Sequence, residues 1–445
     1  EAPSIDNFFF LRSGRPFLII NNNIIEKVQV PGKDTPNIVQ FPNQVTPVSG
    51  GARGQTPNAT IIGGGTVESY GYNSTLDQDS ADSSPVEVTI PQPYSLIDIV
   101  STSSAFFAAT IAGLIETHVK DPKKMKKLVS RVEANLKPEH EKNLLAKAKR
   151  DFSELLDIPG IIEKYLGEII VDNLSLGSII PSYNYWPIGK VGNNRKMEYT
   201  DGGTLDNTGV IGMLSQTDTG SSSQDPINLV VFDNTETPLK KKNGHIIAAS
   251  QIAPLFGIDF DTSNGTYQPF TDSQKDPNKA DFEATSLTTV FNNNEVSPGN
   301  TPFSNLIKGL YAASCGASSE EKSDNSKVNT EPAFYQIDLI TVHNPLANVT
   351  AGRRVNMIYI QNAKIMNWQN QIGDEKLKNE IVEGQKKSID PFNAFKNFPY
   401  YSTGFKIGLE AKESNALSQM WAWAIADDSS PLKNQLQTFI NNASS

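Results

Sequence analysis

The acid-glycine-glycine step Asp201-Gly202-Gly203 is the part of this sequence best suited to chemistry. Glycines have no side chain to hold a neighbour away, so a carboxylate beside them can sit at a loop tip and reach a hydroxyl from elsewhere in the fold. The step continues through the turn Thr204-Leu205-Asp206-Asn207-Thr208-Gly209 into the apolar run Val210-Ile211-Gly212-Met213-Leu214. Read alone, Asp-Gly is equally the signature of a tight turn between a strand and a helix. The hydroxyl candidate is Ser103, in a corner of small residues between the apolar approach Leu96-Ile97-Asp98-Ile99-Val100 and the run Ala105-Phe106-Phe107. A nucleophile elbow is written Gly-X-Ser-X-Gly because its glycines relieve a crowded turn. Here Ser101 and Ala105 hold both glycine positions, and the chain contains no Gly-X-Ser-X-Gly. The competing reading makes Ser103 or Ser104 the cap of a buried helix.

Gly50 and Gly51, in Ser49-Gly50-Gly51-Ala52-Arg53-Gly54, offer backbone N–H groups to an oxyanion, and a surface loop is the alternative. Four histidines without paired metal spacing and a single cysteine, Cys315, predict neither a zinc site nor a disulfide. Neither a P-loop nor a dinucleotide fingerprint is present, and no cofactor is expected.

The elements that must position these groups follow from hydrophobic patterning. Compact β-branched runs at 15–21, 227–233, 334–342 and 355–360 read as strands of an α/β fold. Residues 121–170 read as a helical insertion or lid, with a basic end at Lys123, Lys124, Lys126, Lys127 and Arg131 that is either interfacial or simply solvated. Residues 261–330 read as an irregular polar insertion, and 411–426 as a terminal core helix carrying Met420, Trp421 and Trp423. The whole of 1–445 is expected to form a single elaborated domain.

In this order, the Asn-containing strand with its Thr-Pro loop and glycine turn, Ser104-Ala105-Phe106, Tyr183-Asn184-Tyr185-Trp186-Pro187, Asp201-Gly202-Gly203 and Phe398-Pro399-Tyr400 resemble the cytosolic-phospholipase-A2 and patatin-like lipid acyl hydrolases. The resemblance covers most of 10–425, the portion downstream of that family's nucleophile elbow. It implies a central mixed sheet flanked by helices with long polar insertions, and a Ser-Asp dyad in which Asp201 is the base. Gly202, Gly203 and Asn207 then support the loop. Three expectations stay open: a nucleophile on an upstream fragment of the same precursor, Ser103 as an unconventional nucleophile, or a scaffold that has lost catalysis and acts in structure or assembly.

Composition narrows the partners. Hydrophobic residues at 38% and charged residues at 20% describe an ordinary globular chain, and the net charge of −10 argues against nucleic acid. No run approaches the ~18 apolar residues of a membrane span. A lipid or membrane surface fits the active reading, and a homo-oligomer or larger assembly fits the scaffold reading. Asn-X-Ser/Thr triplets begin at Asn58, Asn73, Asn173, Asn264, Asn348 and Asn442. Together with Glu1-Ala2-Pro3-Ser4, read as a start from which a targeting segment has been removed, they point to a secreted or endomembrane protein.

Overall fold

The computed structural model describes residues 17–33, 36–54, 64–76, 88–90, 94–103, 181–185, 195–221, 225–248, 251–261, 264–315, 332–385, 395–401 and 409–443. Six strands form one antiparallel sheet: β1 (Ile20–Val28), β2 (Asn37–Val45), β3 (Ser49–Gly51), β4 (Val67–Glu68), β5 (Ser182–Tyr185) and β6 (Arg195–Asp201), in the order β4-β3-β2-β1-β6-β5. Directly opposed residues share a face, and the face alternates along each strand. Ile24 therefore lies beside Phe41 and Tyr199, and these three fill a core with Val39, Tyr72, Tyr185 and Met197. Two residues earlier on the same face, Asn22 lies beside Asn43 and Asp201. Helix α1 (Leu96–Ser103) packs over that end, with Asn22 Nδ2 donating to Thr102 Oγ1 at 3.2 Å. From Asp201 the chain turns into two short helices, α2 (Gly203–Asp206) and α3 (Val210–Gln216).

A second sheet contains β7 (Ile227–Asp233), β8 (Ala333–Ile340) and β9 (Arg354–Gln361), in the order β8-β9-β7. β9 runs antiparallel to β8 and parallel to β7. The near-continuous apolar sequence of β9 follows from burial on both faces. Met357 and Tyr359 belong to one core with Val210, Ile211 and Leu214 of α3 and Phe303, Leu306 and Leu310 of α4 (Pro302–Cys315). Ile358 and Ile360 belong to the other. That core draws Trp368 from α5 (Met366–Asn370), Ile381 from α6 (Glu375–Gly384), Met420 and Trp423 from α7 (Ala411–Ala426), and Phe439 from α8 (Pro431–Ala443).

The fold is thus a mixture of helices and sheets, as expected, with differences in detail. The described strands form the antiparallel and mixed sheets above, with small hairpins beside them. Within 261–330, the expected irregular insertion holds α4, a fourteen-residue helix. Phe303, Leu306 and Leu310 recur at helical spacing there, and Gly309 lets the helix lie against the Tyr335 ring, which a Cβ would meet at 2.1 Å. The first strand starts at Ile20 and runs on through three asparagines, beyond the apolar run of 15–21. The helix read at 411–426 occupies those residues but is not the terminal one, since α8 follows it and adds Leu432 and Phe439 to the same core. Residues 121–170 lie outside the described residues. Among those described, no helix is long and apolar enough to cross a membrane.

Candidate functional site

Asp201 ends β6 where the sheet gives way to α2. Its Oδ1 accepts the Gly203 amide at 2.7 Å, which orients the carboxylate at the turn. Among the described residues no group is hydrogen-bonded to its second oxygen. The side chain is half-buried, and burial pushes its carboxyl above the usual range while the Gly203 amide opposes that rise. A carboxyl so placed is a stronger base than one in water and keeps one oxygen for a proton.

The glycines after it are required by space. A Cβ on Gly202 would stand 2.5 Å from the Asn21 carbonyl oxygen, and one on Gly203 would stand 2.6 Å from Asn207 Oδ1. Asn207 is otherwise an exposed residue that fills space against Gly203. The loop is held by residues the sequence did not single out. Asn23 Nδ2 donates to the Asp201 carbonyl at 2.8 Å and to Gln40 Oε1 at 2.9 Å, and Thr204 Oγ1 donates to the same carbonyl at 2.7 Å. Asp206 accepts the amides of Thr208 at 2.9 Å and Ile211 at 2.7 Å, so it caps α3 as the turn after Gly209 leaves the left-handed region. The visible signal for Asn23 was a polar triplet inside an otherwise apolar strand.

Ser103 comes to the same end and face of the sheet as Asp201. Its Oγ donates to the Asn21 carbonyl at 2.7 Å, the same oxygen that Gly202 abuts. It shares no hydrogen bond with Asp201. It also sits eight residues into α1, so it neither caps a helix start nor stands at a strand-to-helix corner. The cap is Ser95, whose Oγ accepts the Asp98 amide at 3.3 Å while Asp98 accepts the Ser95 amide at 2.9 Å.

The chain matches no protein-family model, no curated protein and no solved structure.

Gly50 and Gly51 do not meet the site. They lie on β3, three strands from β6, roughly 14 Å at the usual strand spacing. Packing accounts for both: a Cβ on Gly50 would meet the Tyr72 ring at 2.8 Å, and one on Gly51 the Gly65 carbonyl at 2.6 Å. Gly54 of the same motif is pinned harder, since its Cβ would lie 1.7 Å from the Leu346 carbonyl oxygen. Of the glycosylation candidates, Asn73 is corrected. It is buried, has a positive φ of 63°, and accepts the Asn184 amide at 2.9 Å, so no glycan can be carried there. Asn264 is half-buried with its amide tied to Asp261 and Thr266, whereas Asn348 and Asn442 are exposed. Asn58 and Asn173 lie outside the described residues.

Two buried polar groups flank the loop from the second sheet. Asp233, at the carboxyl end of β7, accepts the Tyr359 hydroxyl, and burial lifts its carboxyl to about 6 despite that bond. Burial first, and then the neighbouring Asp233 carboxyl, hold the Tyr359 hydroxyl well above the usual phenol range. At the other end of α3, the fully buried Arg353 donates to Leu214 O at 2.8 Å and Thr217 O at 3.1 Å and pairs with Asp218 at 2.9 Å. A cation at the last carbonyls of a helix both satisfies them and complements the dipole.

Proposed function

We propose that the Asp201 loop is the base half of a Ser-Asp lipid acyl ester hydrolase of the phospholipase or lysophospholipase type, on a patatin-like scaffold. The observation that carries this reading is the Asp201 carboxylate itself. One oxygen is fixed by Gly203, the other has no hydrogen bond among the described residues, and burial raises the carboxyl's proton affinity. Ionised, this carboxylate accepts the proton of an attacking serine and passes it to the alcohol that leaves as the acyl-enzyme forms; water then cleaves the acyl-enzyme, releasing the fatty acid and restoring the serine hydroxyl. Ser103, inside α1, donates its hydroxyl to the Asn21 carbonyl of β1, and the source of the serine in this reading is an upstream fragment of the same precursor. Once cleaved from the precursor, that segment would stay bound as a partner, and a lipid surface would present the substrate. The exposed Asn348 and Asn442 support a secretory route for such a protein.

A second reading is a scaffold without catalysis, favoured by the commitment of Ser103 to Asn21 and of Gly50 and Gly51 to packing. Fluorophosphonate labelling of natively isolated material, followed by peptide mapping, separates the two. The hydrolase reading expects a label on a serine outside the chain, lost in Asp201→Asn. No label, beside a working control hydrolase, leaves the scaffold.

A further inference from the structure

We propose that Asn243 is a site of spontaneous covalent modification, where the side-chain amide is lost and aspartate or isoaspartate takes its place. Asn-Gly occurs twice in the chain, at Asn243-Gly244 and Asn264-Gly265. The chemistry open to such a pair is intramolecular. The glycine's backbone nitrogen attacks the asparagine Cγ, a C–N bond forms, and the side-chain nitrogen leaves as ammonia with the proton the backbone gave up. Water then opens the five-membered imide at either carbonyl. One opening gives aspartate; the other gives isoaspartate, in which the backbone runs through the former side chain. Glycine permits the attack because it has no Cβ beside the nucleophile. Water is the sole co-reactant.

The fold treats the two pairs differently. Asn243 and Gly244 form the two-residue turn of a hairpin in which Lys240, Lys241 and Lys242 pair with Ile247, Ile246 and His245. Both turn residues have positive φ, 52° and 85°, as a type I′ turn requires. Both are exposed, as are the three lysines and His245. Among the described residues the Gly244 amide and the Asn243 side chain make no hydrogen bond, and a Cβ on Gly244 would meet nothing within 4 Å. A hairpin of such short strands opens locally at little cost, and each opening frees the Gly244 nitrogen to approach the Asn243 Cγ.

Asn264 is held on every side. Its Nδ2 donates to Asp261 Oδ2 at 2.6 Å, and its Oδ1 accepts the Thr266 amide at 2.8 Å and the Thr266 hydroxyl at 2.6 Å. The nucleophile is taken too, since the Gly265 amide donates to the Asp261 carbonyl at 2.8 Å. Gly265 is buried against the first hairpin, where a Cβ would stand 2.6 Å from the Ile246 carbonyl oxygen. These bonds must all break before the Asn264 Cγ can be reached, so this pair reacts only when its hairpin unfolds.

The product changes what the first hairpin presents. On a chain of net charge −10 the lysine strand is a local concentration of positive charge, and either product adds a carboxylate at its end. Isoaspartate also lengthens the backbone within a turn whose two-residue length sets the strand register.

The test is incubation of the full chain at neutral pH and physiological temperature, folded and in guanidinium chloride, followed by proteolysis and mass spectrometry of the peptides holding 243 and 264. In denaturant the two sites should convert at similar rates. In the folded protein Asn243 should convert at least about tenfold faster than Asn264, giving isoaspartate with aspartate and an acidic isoform on isoelectric focusing. Asn243→Gly, which suits the turn, should remove that isoform and leave the Asn264 peptide unchanged. Equal rates at the two sites in the folded protein overturn the inference. So does an Asn243 that stays intact in the folded protein while the denatured chain converts.

Discussion

Asp201 and Asp233 show how one residue type takes different work from its surroundings. Both carboxyls are raised by burial, but Asp201 keeps one oxygen without a hydrogen bond among the described residues, whereas Asp233 is closed in with Tyr359. If Asp201 is the base, the acylation rate should rise with pH as its carboxyl ionises and level off above its raised value, a limb measurable by stopped-flow labelling. Asp201→Asn should remove that limb and slow acylation about 100- to 10,000-fold. For Asp233 the consequence is stability. Its folded carboxyl holds a proton up to about 6, whereas the unfolded one releases it near 3.8. Between these values the folded state binds more protons, so its contribution to stability falls as pH rises and is flat above 6. Asp233→Asn should therefore stabilise the protein at pH 7 by up to about 3 kcal/mol in urea melts, and the gain should vanish near pH 4.

At the level of elements, the run after Asp201 was legible in the sequence because its glycines and apolar residues have local causes. The strand at 227–233 and the helix at 411–426 were legible for the same reason, since periodicity reports burial directly. What holds the loop was not legible. Asn23 acts across 178 residues and Arg353 across 139, and neither separation leaves a trace in local pattern. Ser103 misled because a run of small residues looks alike at a strand-to-helix corner and along a helix packed tightly on a strand. Arg353 gives the clearest check on how α3 is held. Arg353→Met strips Leu214 and Thr217 of their donor and leaves Asp218 buried without its cation. A loss of about 3–5 kcal/mol is expected in denaturant titration. Arg353→Lys should recover only part of it, because an ammonium cannot span both carbonyls and the carboxylate.

On the scale of the whole molecule, β9 is the shared wall of two cores, with Met357 and Tyr359 on one side and Ile358 and Ile360 on the other. Three of the four tryptophans, Trp368, Trp421 and Trp423, report on the second core alone. Because the wall is common, both cores should melt together. Ile360→Ala should lower stability by about 2–5 kcal/mol, with the fluorescence and far-UV circular dichroism midpoints moving equally. Separate midpoints would show two independent units. The crowding around Asn21 has a consequence for descent. Gly202 faces its carbonyl, which every residue at position 21 possesses, whereas Gly212 faces its side-chain oxygen at 2.4 Å, which has no hydrogen bond to lose. Gly202→Ala should fail to fold in any background, while Gly212→Ala should be rescued by Asn21→Ala in a double-mutant cycle. In a lineage of such chains, positions 21 and 212 are therefore free to drift as a pair, while position 202 stays glycine for as long as the strand beside it persists.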